Sequence, residues 1–181
     1  MIILVDMDNT IADFEGRFLE IWQERYPHIP AVPREARRHF YQTRDYPPEH
    51  AKKVTSVIAH PDFFCQLPPI AGAVDALHRM VELGHDVFLC TSSYFNYPQC
   101  VSCKYRWVHE HLGQGWQRRV IITADKTVVR GDFLVDDRPE LKGKFTPTWE
   151  YILYDQPYNR EARQWRRLTW ANWEDVLLGG A

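Results

Sequence analysis

Four short aliphatic runs, each closed by polar groups suited to phosphate or metal, constrain what this chain can fold into more than any other feature. Ile2-Ile3-Leu4-Val5 leads to Asp6-x-Asp8, Val87-Phe88-Leu89-Cys90 to Thr91-Ser92, Val120-Ile121-Ile122 to Asp125-Lys126, and Phe133-Leu134-Val135 to Asp136-Asp137. Unbroken apolar runs of this length suit strands buried on both faces. Segments with helical spacing accompany them: Phe14, Phe18, Ile21 and Trp22; Val74, Leu77 and Val81; Val101, Tyr105, Val108 and Leu112. Alternating strands and helices predict an α/β fold with a parallel sheet, in which the carboxyl ends of the strands share one crevice. Tyr151-Ile152-Leu153-Tyr154 predicts a last strand, and Trp170, Trp173 and Leu177 a closing helix with Thr169 as its N-cap.

The interval from Trp22 to Pro69 holds eight of the twelve prolines and no strong strand, which predicts a helical lobe inserted after the first strand and helix. The expected division is a core at 1–20 and 70–181 and a cap at 21–69. With 45% hydrophobic residues among 181, the core can be a real one. A formal net charge of −2 argues against polymeric nucleic acid or an anionic membrane as partner, while a small anion needs only a few local cations. The N-terminal apolar stretch is too short for a signal peptide, and no run approaches the roughly 20 residues of a spanning helix, so a soluble, cytoplasmic protein is expected. Cys65, Cys90, Cys100 and Cys103 do not form a disulfide framework pattern, and Cys100-x-x-Cys103 lacks a second pair, so reduced, partly buried thiols are expected. Arg160, Arg163, Arg166 and Arg167 read as a solvated helix face, and the eight histidines carry no motif.

The residue types at the strand ends explain one another. Three or four carboxylates pressed together repel strongly at low dielectric, and a hard divalent cation held by oxygen, Mg²⁺, relieves that repulsion. Asp6 then suits the nucleophile that attacks phosphorus and forms an acyl phosphate, and Asp8, two residues on, the acid that protonates the leaving oxygen and later activates water. Lys126 and Ser92, or Thr91, would supply charge and donors to the transferring phosphoryl.

Asp6-Met7-Asp8-Asn9-Thr10, Thr91-Ser92, Asp125-Lys126-Thr127 and Asp136-Asp137-Arg138-Pro139 resemble the four ordered motifs of the haloacid dehalogenase superfamily. More narrowly, the chain resembles the 5′(3′)-deoxyribonucleotidases through Ala12-Asp13-Phe14-Glu15-Gly16, Lys104-Tyr105-x-Trp107-Val108, Asp125-Lys126-Thr127-Val128-Val129, Thr146-Pro147-x-Trp149-Glu150 and Trp170-Ala171-x-x-Trp173. The resemblance implies a Rossmann-like core with a small inserted helical cap, Mg²⁺ dependence, and release of phosphate from deoxyribonucleoside monophosphates. It implies a metal held by the Asp6 carboxylate, the Asp8 backbone carbonyl and Asp137 with Asp136 beside them. Phosphate contacts would come from Ser92, Lys104 and Lys126, and an apolar slot for the base from the stretches Phe40-Tyr41-Gln42 and Phe63-Phe64 together with Phe14. On composition alone the cap aromatics also suit the core of the lobe, and Lys104 a solvated helix position. The chain departs from the family at Asn9-Thr10, where Gly-Val is common, at Ala124, where vertebrate members carry Arg, and in the stretch Tyr41–Pro48. Alternatives are a phosphatase of the same superfamily acting on another small ester, such as a sugar phosphate, or a catalytically idle nucleotide-binding protein. A homodimer is left open.

Overall fold

β1 (Ile2–Val5) lies inside the sheet because both of its faces need cover: Ile3, Leu4 and Val5 are fully buried. The computed structural model describes residues 1–94 and 97–179, so the end of the expected core segment, 180–181, lies outside the described residues. It contains one six-stranded sheet in the order β3-β2-β1-β4-β5-β6. The other strands are β2 (Asp86–Thr91), β3 (Val120–Ile122), β4 (Phe133–Asp136), β5 (Glu150–Tyr154) and β6 (Arg166–Leu168), and every neighbouring pair is parallel. Val5 stands opposite both Leu89 and Val135, which aligns the carboxyl ends of the three central strands.

Side chains alternate across the strands. Ile3, Val5 and Val135 join an apolar cluster with Phe18 of α1 (Phe14–Arg25), Val54 of α2 (Ala51–Ile58), Leu77 of α3 (Ala73–Glu82), Trp107 of α4 (Gln99–Leu112) and Trp173 of α5 (Trp173–Leu178). Leu4 and Leu134 point the other way, into a second cluster with Trp149 and Tyr151, against which Trp165 packs. The connections 137–149 and 155–165, among the described residues, contain no α-helix. α1 continues through residues 20 and 21 to Arg25, and the segment that follows it combines short 3₁₀ turns with α2. Among the described residues, no helix is long and apolar enough to cross a membrane.

Four local expectations need correction. α5 begins at Trp173 with Asn172 before it, and the Thr169 N–H instead donates to Asn172 Oδ1 at 2.8 Å. Trp170 precedes that helix and donates its indole N–H to the Thr10 carbonyl at 2.8 Å. On α4 the buried face carries Cys100, Cys103, Lys104 and Trp107 along with Val108 and Leu112, while Val101 and Tyr105 are 40% and 49% exposed. Hydropathy ranks valine above lysine, but Lys104 has partners for its charge in Asp8 and Thr91. Arg166 and Arg167 lie on edge strand β6, with Arg160 and Arg163 in the turns before it, so the basic stretch forms no helix. Finally, Cys65 and Cys103 are joined in a disulfide between the insert and α4, whereas Cys90 and Cys100 are free and buried. The 3₁₀ turn Phe64–Gln66 packs on α4 and brings Cys65 to Cys103.

The loop after β1 explains one departure from the family pattern. Asn9 has φ +56°, a left-handed conformation that glycine adopts freely and asparagine tolerates best among the rest. Its Oδ1 accepts the Glu15 N–H at 2.9 Å, a bond glycine could not offer to the start of α1. Thr10 is different: it is fully buried and its hydroxyl has no partner among the described residues. Thr10→Val keeps the shape and removes a dehydrated polar atom, so a gain of about 1 kcal/mol is expected, or a rise in Tm of roughly 2–4 °C by calorimetry. An unchanged or lowered Tm would show that the hydroxyl is satisfied in solution.

Candidate active site

The strand ends bring the acidic residues together. Asp6 continues β1 and donates its N–H to Val135 O at 2.9 Å, which sets it beside Asp136 at the end of β4. Lys126, in the 3₁₀ turn Lys126–Val128 after β3, places Nζ 2.6 Å from Asp6 Oδ1 and 2.6 Å from Asp136 Oδ2. That turn is fixed by Asp125, whose Oδ1 accepts from Thr127 N at 3.0 Å; Asp125 therefore serves as a cap rather than a member of the acidic group. Carboxylate oxygens of Asp6, Asp136 and Asp137 lie within 4.8 Å of one another, and all three residues are buried.

One ammonium cannot balance three buried carboxylates. Burial disfavours ionised Asp136, but Lys126 and the Arg138 N–H outweigh it and hold that carboxyl below its ordinary range. Asp6 is pushed up, chiefly by burial, although Lys126 opposes the shift. Asp137 rises well above its ordinary value through burial and then the charges of Asp136 and Asp6. One ammonium against three carboxyl groups leaves the cluster short of positive charge, and its purely oxygen donor set fits a hard divalent cation such as Mg²⁺.

Asp8 belongs to the same crevice but to a different pair. Its Oδ1 accepts from Lys104 Nζ at 2.7 Å, and Lys104 also donates to Thr91 Oγ1 at 3.0 Å. Lys104 is 1% exposed and does not line the open cavity, so its ammonium sits behind Asp8 in this structure. Thr91 and Ser92 both line the cavity; the Thr91 hydroxyl is occupied by Lys104, and the Ser92 hydroxyl donates to Thr123 O at 2.9 Å.

Above the acidic floor opens a cavity of about 350 Å³ that Asp6, Asp8, Asp137 and Lys126 share with Phe14, Phe40 and Tyr41. Phe63 and Phe64 are buried behind Phe14, with ring centroids at 4.7 and 6.0 Å, and support the wall without forming it. Ala124 also faces the cavity.

Several residues at the site escape the sequence reading. Arg138 stands over the Phe40 ring at 4.8 Å and donates to the Tyr41 hydroxyl at 2.8 Å, so the motif that supplies Asp136 and Asp137 also anchors the aromatic wall. Tyr94 also lines the cavity. Arg37 is buried, pairs with Glu15, and donates to Asp45 Oδ2 at 2.6 Å. Tyr158, just beyond β5, donates its hydroxyl to Asp137. The polar residue that closes β5, Asp155, instead pairs with Arg167, so the end of that strand gives no direct pointer to Tyr158.

Residues 1–180 match the model of the family described as "5' nucleotidase, deoxy (Pyrimidine), cytosolic type C protein". The chain belongs to the 5′(3′)-deoxyribonucleotidase family. The human cytosolic-type 5′(3′)-deoxyribonucleotidase is 44% identical over 185 residues, covering 97% of this chain and 92% of its own. A Bordetella pertussis protein, provisionally named a 5′(3′)-deoxyribonucleotidase, is 44% identical over 179 residues, with 99% and 96% covered. Among solved structures, a haloacid dehalogenase family hydrolase from Deinococcus radiodurans, with bound phosphate and sodium, shares the fold at TM-score 0.56 and 17% identity, with 97% and 93% covered. As a member of this family the chain is a phosphomonoester hydrolase, and it shares its fold with a haloacid dehalogenase family hydrolase.

Proposed function

We propose that this chain is a Mg²⁺-dependent 5′(3′)-deoxyribonucleotidase that releases phosphate from deoxyribonucleoside monophosphates in the cytoplasm. The observation that carries the reading is one cavity with an acidic, lysine-bridged floor and an aromatic wall. The floor suits a phosphate and the wall a planar base.

In this reading the Asp6 carboxylate attacks phosphorus, forming an aspartyl phosphate as the bond to the nucleoside oxygen breaks. Asp8 gives its proton to that oxygen, then takes one from a water that attacks phosphorus, freeing Asp6 and inorganic phosphate. Lys126 holds Asp6 in place and offers positive charge to the phosphoryl oxygens, and Ser92 offers its hydroxyl. Thr91 contributes by seating Lys104, which orients Asp8 and lends charge from behind it. The Asp6 carboxylate, the Asp8 backbone carbonyl and Asp137, with Asp136 beside them, would hold Mg²⁺, which when bound would supply Lewis-acid charge at the phosphoryl group. Phe14, Phe40 and Tyr41 hold the base, and the segment 21–69 acts as the cap that carries most of this wall.

A panel of nucleoside monophosphates and sugar phosphates, assayed for phosphate release with Mg²⁺ and with chelator, tests the reading. Faster turnover of deoxyribonucleotides than sugar phosphates, abolished by chelator, is the expected result. Equal turnover across the panel would favour a general small-ester phosphatase, and nucleotide binding without turnover an idle homologue.

A further inference from the structure

The two sides of the acidic cluster are supported differently. Asp6 and Asp136 share Lys126, whereas the side-chain donor to the Asp137 carboxylate, among the described residues, is the hydroxyl of Tyr158 on Oδ2. Tyr158 is only 6% exposed. It sits in the 3₁₀ turn Pro157–Asn159, which several bonds hold rigid. Asn159 Nδ2 donates to Asp137 O at 2.7 Å and Tyr154 O at 2.8 Å, and Arg167 Nη2 donates to Asn159 Oδ1 at 2.6 Å. Gln156 Nε2 donates to Asn9 O at 2.7 Å, tying the same turn to the loop after β1.

The other face of the Tyr158 ring belongs to the insert. The Arg37 guanidinium lies 5.4 Å from the ring centroid, and the Phe40 ring meets it at 6.1 Å. Arg37 is itself held by Glu15 and Asp45 and donates to His39 O at 2.9 Å, at the start of the segment that forms the aromatic wall. A single tyrosine therefore touches a cluster carboxylate at one end and the cap's framework at the other.

We propose that Tyr158 is a positioning residue for metal binding: its hydroxyl fixes the Asp137 carboxylate so that the remaining oxygen is presented to a divalent ion. Arg37 and Phe40 seat the ring, so the geometry of the wall and of the ion site depend on one another. The inference rests on the proposed role of Asp137 as a metal ligand. A hydrogen bond to a ligand carboxylate removes its rotational freedom before the ion arrives, and losing such a bond weakens metal affinity by about 10- to 100-fold.

The test is Mn²⁺ binding by purified full-length protein without substrate, read from the free-ion electron paramagnetic resonance signal, for wild type, Tyr158→Phe and Tyr46→Phe. Tyr158→Phe deletes one hydroxyl and keeps the packed ring. Tyr46→Phe is the control, because its buried hydroxyl accepts from Val32 N at 3.0 Å and is bonded away from the cluster. The expected result is a Mn²⁺ Kd at least about tenfold weaker in Tyr158→Phe and unchanged in Tyr46→Phe, with the Mg²⁺ concentration for half-maximal turnover rising in parallel. Equal affinity in wild type and Tyr158→Phe, or equal weakening in both variants, overturns the proposal while leaving the metal reading intact. Wild type that binds no Mn²⁺ overturns the metal reading itself and the proposal with it.

Discussion

Asp6→Asn lowers kcat for deoxynucleotide hydrolysis by about four to six orders of magnitude, the scale on which removal of a catalytic nucleophile acts. The substitution keeps the side chain's shape and its acceptor for Lys126. It also removes one negative charge from a cluster in which burial and Asp136 already push Asp6 toward its neutral form. The folded state should therefore survive, with Tm close to wild type. Loss of activity without loss of fold separates chemistry from structure. Activity within a hundredfold of wild type would mean that another group attacks phosphorus.

Lys126→Met has a different signature, since it removes both activity and stability. The ammonium is buried between Asp6 and Asp136, and these charges raise its pKa despite the burial that disfavours it. Breaking a buried pair from one side leaves uncompensated charge and costs about 3–5 kcal/mol. At roughly 2–4 °C per kcal/mol for a chain of this size, Tm should fall by about 6–20 °C. Millimolar Mg²⁺ should restore part of the loss, because an ion that binds only the folded state stabilises it and brings positive charge to the same carboxylates. Lys142→Met, at an exposed lysine on the cavity rim, serves as the control and should melt like wild type. A stable Lys126→Met protein would refute the charge balance described for the cluster.

How much of this was legible in the sequence depended on the kind of signal. β1, β2, β3 and β4 could be read because each is a continuous apolar run, and the site draws on polar residues that follow each run. The convergence of Asp6, Lys126, Asp136 and Asp137 followed from the parallel arrangement alone. β6 was hidden because Arg166-Arg167-Leu168 is an edge strand of three residues with two arginines, and their partners, Glu150 and Asp155, lie elsewhere in the chain. The buried face of α4 was misjudged because Lys104 is buried by its pairing with Asp8, 96 residues earlier, which no local periodicity reveals. The same holds for Cys65 and Cys103, whose pairing across the insert and α4 depends on packing. The aromatic wall was reached through family resemblance at Phe14, Phe40 and Tyr41. Arg138 and Tyr158 were missed because each acts through a partner brought close by the fold.

Covalent trapping tests the central reading of Asp6 most directly. Borohydride added during turnover of a deoxynucleotide reduces an acyl phosphate on aspartate to homoserine, and peptide mass spectrometry locates the modified position. Homoserine at position 6, absent from enzyme quenched without substrate, is the expected result. Homoserine at position 8 would contradict the assignment of Asp6, and so would reproducible turnover with position 6 unmodified when a known aspartyl phosphate traps under the same conditions.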